Sequence, residues 1–370
     1  MSSKDVVREL FPAIEPDHAL PPGETLRELI DELGMTQAEL ARRSSLSPKH
    51  VNQLIQGVVP LSAEVAARLE LVTGMPARLW NRLEADYQSA LERLRLQGIL
   101  AAETSWLEEI PLRELVKRDV LPAKPSDKVS RVAQLLAFFG VASVAAWQDV
   151  YTSPSASFRQ SKAFTVLPGA VATWLRLGEL AAQDMKCQPY NEAHLRGALQ
   201  ELRLLTRLAP SQFVPRLHEV CRDAGVAVVF VEEIAGARSC GATRWLTPDK
   251  ALIQLSCRYR TDDQLWFTLF HEIGHLLRHG KRDVWIDNGN KDDPREREAD
   301  EFASEQLIPR KYASRLSRLR SLNDVEAFAA EIGVSPGIVV GRLQHDDQWK
   351  RTHGNKLKRS VSAADLAKME

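Results

Sequence analysis

FTLFHEIGHLLRHG, residues 267–280, decides how the C-terminal half of this chain is read. It contains the pattern H-E-x-x-H at His271, Glu272 and His275. Around it Phe267, Leu269, Phe270, Ile273, Leu276 and Leu277 supply enough apolar surface to bury a helix predicted over 262–279. Positions four apart on a helix share a face, so both imidazoles can reach one ion, and His271 and His275 are expected ligands of Zn2+. Glu272 points to the adjacent face, where it can contact a water at the metal and act as general base. Zinc rather than manganese or iron is the preference of these ligand types.

Two imidazoles leave a zinc site one protein ligand short. The next helix, predicted over 296–306 after a turn through Pro294, carries Glu296-Arg-Glu298-Ala-Asp300. Glu296 lies 21 residues beyond His275, enough chain to reverse between antiparallel helices. Glu298 competes for the ligand position, but only Glu296 has an acidic residue four further on, Asp300, which can accept the free ring N–H of His271 and fix its tautomer. Arg244 and His279 are the cationic side chains available to an oxyanion; neither is assigned that role, and His279 reads more readily as a structural or surface residue.

Working outward, 226–232 (VAVVFVE) and 251–256 (ALIQLS) read as strands. Residues 100–215 read as mostly helical, broken by Pro122, Pro125, Pro154 and Pro168, a scaffold or dimerisation region. The stretch up to 23, rich in proline, reads as an irregular leader, and 350–359 as a basic, mobile tail. The apolar run over 137–147 is too short to span a bilayer and contains Gly140 and Ser143. Forty-nine basic residues balance forty-nine acidic ones, which excludes a wholly basic nucleic-acid binder but not a local basic patch. Four scattered cysteines point to reduced thiols, and no signal-peptide core follows Met1, so a cytoplasmic protein is expected.

From 24 to 97 short amphipathic helices alternate with turns. Within them Thr36 with Glu39 has capping-box spacing, Ala41 is small where two helices would cross, and Ser47-Pro48 supplies an N-cap and a first-turn proline. Leu40, Leu46, Val51 and Leu54 form the expected shared core, and Gly57 ends the second helix. Such a pair places the second helix in the major groove, with Lys49, His50 and Gln53 toward base edges and Gln37, Arg42 and Arg43 toward phosphates.

Two resemblances attach to these residues. Residues 24–82 resemble the XRE or phage-repressor type of helix-turn-helix, similar to antitoxins of the HigA type, although Ser45 stands where the turn often has glycine. Residues 215–345 resemble the ImmA/IrrE family of gluzincin-type metallopeptidases through ALIQLS, FTLFHEIGHLLRHG and EREADEFASEQLIP, the last similar to the family's E-x-x-A-N-x-F-A-x-x-L-L-x-P with Asp300 replacing the usual Asn. Ile332-Gly-Val-Ser335 and Arg342-Leu343 resemble the family's closing helical segment. The resemblances imply a small sheet packed on helices and cleavage of a protein substrate, often a repressor. The expectation is a multi-domain, mainly α chain: an irregular leader (1–23), an all-α helix-turn-helix domain (24–97), a helical linker or dimerisation region (98–215), an α+β gluzincin-like domain with a small sheet (216–345) and a basic mobile tail (346–370). Its function would be that of a DNA-binding transcriptional regulator carrying a zinc-dependent endopeptidase. Its partners would be an operator duplex, a repressor-like substrate or cognate toxin, and a second copy of itself, with no membrane. The alternative is a non-catalytic HigA-like repressor whose metal domain is structural or a sensor.

Overall fold

The computed structural model describes residues 19–124, 127–152, 167–279, 285–286 and 293–368. Most of the leader lies outside these, and Pro22 already opens a helix. Two compact units form, one on the residues up to 105 with 127–133, the other on 106–124 and from 134 onward.

The first unit is all-helical: α1 (Pro22–Glu32), α2 (Gln37–Ser44), α3 (Pro48–Ile55), α4 (Ala63–Thr73) and the long α5 (Ala77–Ala102). Thr36, Ser47 and Ser62 accept the backbone N–H of Glu39, His50 and Val65, which fixes where α2, α3 and α4 begin. Ser45 adopts the left-handed conformation (φ 55°) that the turn demands, and its carbonyl accepts from Arg68 Nη1 at 3.0 Å. Gly23 lets α1 lie directly on α3, because a Cβ there would sit 2.2 Å from the Leu54 carbonyl oxygen. Leu26, Ile30, Leu40, Ala41, Val51, Leu54 and Trp80 fill the core, with Leu46 packed at its edge.

The second unit surrounds a mixed sheet. After α6 (Leu112–Lys117), the apolar stretch Lys128–Thr152 is long and apolar enough by composition to cross a membrane, longer than the run marked in the sequence. It forms α7 (Lys128–Phe139), whose residues up to Ala133 fall in the first unit, and α8 (Val144–Trp147), separated at Gly140 (φ 69°). Phe139 packs against Trp106, Trp147 and Tyr151 with ring centroids 5.2–6.0 Å apart. Then come α9 (Pro168–Gln183), α10 (Glu192–Leu205) and α11 (Pro210–Asp223), followed by β1 (Val226–Phe230), β2 (Gly241–Thr247) and β3 (Lys250–Leu255). The metal-motif helix α12 (Asp262–Arg278), the two-residue β4 (Trp285–Ile286) and α13 (Pro294–Leu307) follow. Strand order is β1-β3-β2-β4, with β1 parallel to β3 and the other pairs antiparallel.

Every residue of β1 is buried because both faces are covered, which is why 226–230 reads as an unbroken apolar run. Ala227 and Val229 face α9, whereas Val226, Val228 and Phe230 join α10, α11 and α12 in the larger core. Gln254 Nε2 donates to the Trp174 carbonyl, and Trp174 Nε1 to the Val231 carbonyl, tying α9 to the sheet. α9, α10 and α11, from the region expected to be a helical linker or dimerisation segment, pack on the sheet and share its compact unit.

The tail departs from expectation more sharply. After α14 (Arg310–Leu316), α15 (Leu322–Ile332) and α16 (Pro336–His345), residues 346–368 turn back and end in α17 (Ala363–Ala367). Val361, Ala363 and Leu366 are buried in the main core, so this segment is packed. Its charge has partners: Lys358 Nζ lies 2.7 Å from Asp263 Oδ2, and Arg359 Nε 3.2 Å from Asp262 Oδ2, both on the first turn of α12. The same Arg359 guanidinium donates to the carbonyls of Thr206, Arg207 and Leu208 just beyond α10. Gly337 and Gly341 let α16 approach, since a Cβ at either would fall 2.4–2.5 Å from the Asp262 or Asp263 carboxylate.

His218 on α11 is 1% exposed beside Phe230, and burial pushes its imidazole down to about 4. The unfolded chain takes up a proton below about 6.5 while the folded one resists, so stability falls as pH drops through that window. Between pH 7 and 5 the cost should be about 2 kcal/mol. Urea unfolding of chelator-treated protein should show it, and His218→Gln should remove most of it; an equal pH response in the variant would refute the assignment.

Candidate metal centre

α12 presents His271 and His275 on one face, both buried, with their Nε2 atoms 3.0 Å apart. α13 lies against this face because Gly274 has no side chain: a Cβ there would be 3.2 Å from Ala299 Cα. That approach carries Glu296 inward, its Oε2 3.2 Å from His271 Nε2 and its Oε1 3.5 Å from His275 Nε2. A tetrahedral zinc ion with its usual bond lengths holds its donor atoms about 3.3 Å apart, so the three ligand atoms fit such an ion. All three lie within 4.8 Å of one another and could hold a metal ion.

Protonation favours the same use. Burial lowers the His275 pKa, against the raising effect of Glu296, and so favours the neutral imidazole that a metal ligand needs. Burial would raise the Glu296 carboxyl, but hydrogen bonds from His271 and His275 outweigh it and hold the group at about 2.

The atoms turned away from this point also have partners. His271 Nδ1 lies 2.9 Å from Asp300 Oδ1. Glu298, the competing ligand, points elsewhere, its Oε2 3.4 Å from His279 Nε2. Glu272 is fully buried, and Thr243 Oγ1 on β2 donates to its Oε2 at 2.7 Å. Gly241 makes the space, since a Cβ there would stand 2.5 Å from Glu272 Oε1. Neither Thr243 nor Gly241 is singled out by sequence reading; the only available signal is the Gly-Ala-Thr segment entering a strand ahead of the motif. Arg244, the next residue, points to the opposite face of β2 and pairs with Glu179 of α9, so it is not at this centre. His279 lies beside His275 and is largely buried rather than on the surface.

The residues proposed for DNA lie on α2 and α3 as the motif requires. Gln37 and Lys49 are exposed, while His50 and Gln53 are half-buried. Arg42 and Arg43 are exposed but turned onto Glu39, with contacts of 2.5 and 2.6 Å. Exposed ion pairs of this kind are weak, so a phosphate could displace Glu39 at small cost.

Comparison with known proteins places both regions. A helix-turn-helix family model matches residues 26–80, and that of the IrrE N-terminal-like domain matches 222–344, which spans β1–β3 and the metal-motif helices. The chain is also 32% identical over 69 residues to the uncharacterized HTH-type transcriptional regulator YddM of Escherichia coli K12, an alignment covering 19% of this chain and 73% of that protein. The helix-turn-helix unit implies DNA binding. This chain thus belongs to the HTH-type transcriptional regulators, of XRE type, and carries beside its DNA-binding module a peptidase-family domain of the IrrE/ImmA kind.

Proposed function

We propose that the chain is a cytoplasmic regulator that binds an operator as a homodimer and carries a zinc-dependent endopeptidase directed at a regulatory protein. The observation that carries this reading is the convergence of His271 Nε2, His275 Nε2 and the Glu296 carboxylate beside the buried Glu272. His271, His275 and Glu296 would hold the zinc ion. When bound, the ion supplies Lewis acidity toward a water and a peptide carbonyl. Glu272 takes the proton of the attacking water and returns it to the departing amine. Thr243 orients that carboxylate through its 2.7 Å bond to Oε2, and Asp300 holds the His271 ring through Nδ1. In the DNA-binding unit, Lys49 and Gln53 suit guanine and adenine edges, with Gln37, Arg42 and Arg43 toward phosphates.

Elemental analysis of purified protein tests the centre. Wild-type protein should carry about one zinc per chain, as a three-ligand site with an open position does, and His271→Ala should lose it. Wild-type protein that neither retains nor takes up zinc would leave a DNA-binding regulator with a relict domain.

A further inference from the structure

The three metal-facing donors use one nitrogen of each histidine, which leaves the opposite nitrogen of His275 to be accounted for. His275 Nδ1 lies 3.0 Å from His279 Nδ1, and His279 Nε2 lies 3.4 Å from Glu298 Oε2. A backbone detail produces this contact. α12 ends at Arg278, and His279 leaves the helix in an extended conformation (φ −116°, ψ 161°) while its N–H still bonds the His275 carbonyl at 3.0 Å. The exit brings the two rings to centroids 5.1 Å apart, with the His279 side chain 7% exposed. An exposed histidine one turn past another would have no such constraint.

Resting on the zinc reading above, we propose that His279, backed by Glu298, is a positioning residue for His275 and so sets how tightly the centre holds zinc. With the Nε2 lone pair of His275 directed to the ion, its proton sits on Nδ1 and is donated to His279 Nδ1. His279 then carries its own proton on Nε2, toward Glu298. This arrangement fixes both tautomers and the His275 ring plane, as Asp300 does for His271. α13 thus contributes three carboxylates with separate tasks: Glu296 at the metal point, Asp300 behind one imidazole, and Glu298 behind the other through His279.

The test is the zinc dissociation constant of the full chain, measured by competition with a chromophoric chelator, beside urea unfolding of the metal-free protein. His279→Ala should weaken zinc binding 10- to 100-fold, the usual cost of losing a partner behind a metal ligand. It should leave metal-free stability unchanged. His279→Asn keeps an acceptor near the former Nδ1 position and should recover most of the affinity. Glu298→Ala should lose less than His279→Ala, because its contact is longer and the carboxylate is half exposed. Unchanged zinc affinity in His279→Ala, with wild type binding zinc, would overturn the proposal and leave the zinc site standing. Equal losses in the Ala and Asn variants together with lower metal-free stability would reduce His279 to a packing residue and overturn it too. Wild-type protein that takes up no zinc would end both readings.

Discussion

Replacing Arg359 by methionine should cost the C-terminal unit about 4 kcal/mol of stability, the usual consequence of leaving a buried charge without its partner. Asp262 is 1% exposed, and its carboxylate accepts from the Ser335 hydroxyl (2.6 Å), the Arg359 backbone N–H (3.0 Å) and Arg359 Nε (3.2 Å). Methionine keeps the stem and the backbone donor but removes the only one of these three partners that carries charge. It also strands the carbonyls after α10 that the guanidinium satisfies. Arg359→Lys should cost less, since it restores charge without the planar fork that reaches several acceptors. Urea unfolding at neutral pH reads both effects, and a loss below about 1 kcal/mol for the methionine variant would show that the C-terminal segment is not a structural anchor.

Glu272→Gln should lower peptide cleavage by 10²- to 10⁴-fold, the range supplied by a positioned general base, while zinc content and DNA binding stay at wild-type levels. The amide has the size of the carboxylate, and its oxygen can still accept from Thr243, so the space that Gly241 leaves remains filled. What disappears is the capacity to take a proton. Digestion of a peptide library by zinc-loaded protein, followed by mass spectrometry, measures the loss. Undiminished cutting by the variant would remove Glu272 from the chemistry, and an uncut library with both proteins would favour a structural or sensory metal domain.

The convergence of His271, His275 and Glu296 was legible in sequence because it depends on short spacings: four residues along one helix, then an acidic residue one turn from another on the next. The helix starts at Gln37 and Pro48 were legible for the same reason, since a cap acts within three residues. Thr243 and Gly241 were not. The Thr243 tie to Glu272 bridges 29 residues, and both residues act only through how β2 is laid against α12, which a GATRWLT segment with mixed burial does not announce. His279 was visible at the right spacing and read as a structural or surface residue, but its contact with His275 was not legible, because it depends on an extended backbone just past the helix. That α9 packs on the sheet was not legible because the helix is apolar on several sides, a pattern shared by a helix in a dimer interface and one buried on a sheet. The basic tail was misread because composition records its charge but not the buried carboxylates that receive it.

The closure of Arg359 onto Asp262 joins residues 97 apart in the chain, and that separation is also a delay. At synthesis rates of about 5–20 residues per second, the metal-motif helix exists for on the order of 5–20 s before its anchor is made. Among the described residues, the helix-turn-helix unit draws on none beyond Ala133, so its core can form while the rest is still being translated. Order of synthesis therefore completes the DNA-binding module before the metal-motif helix is anchored.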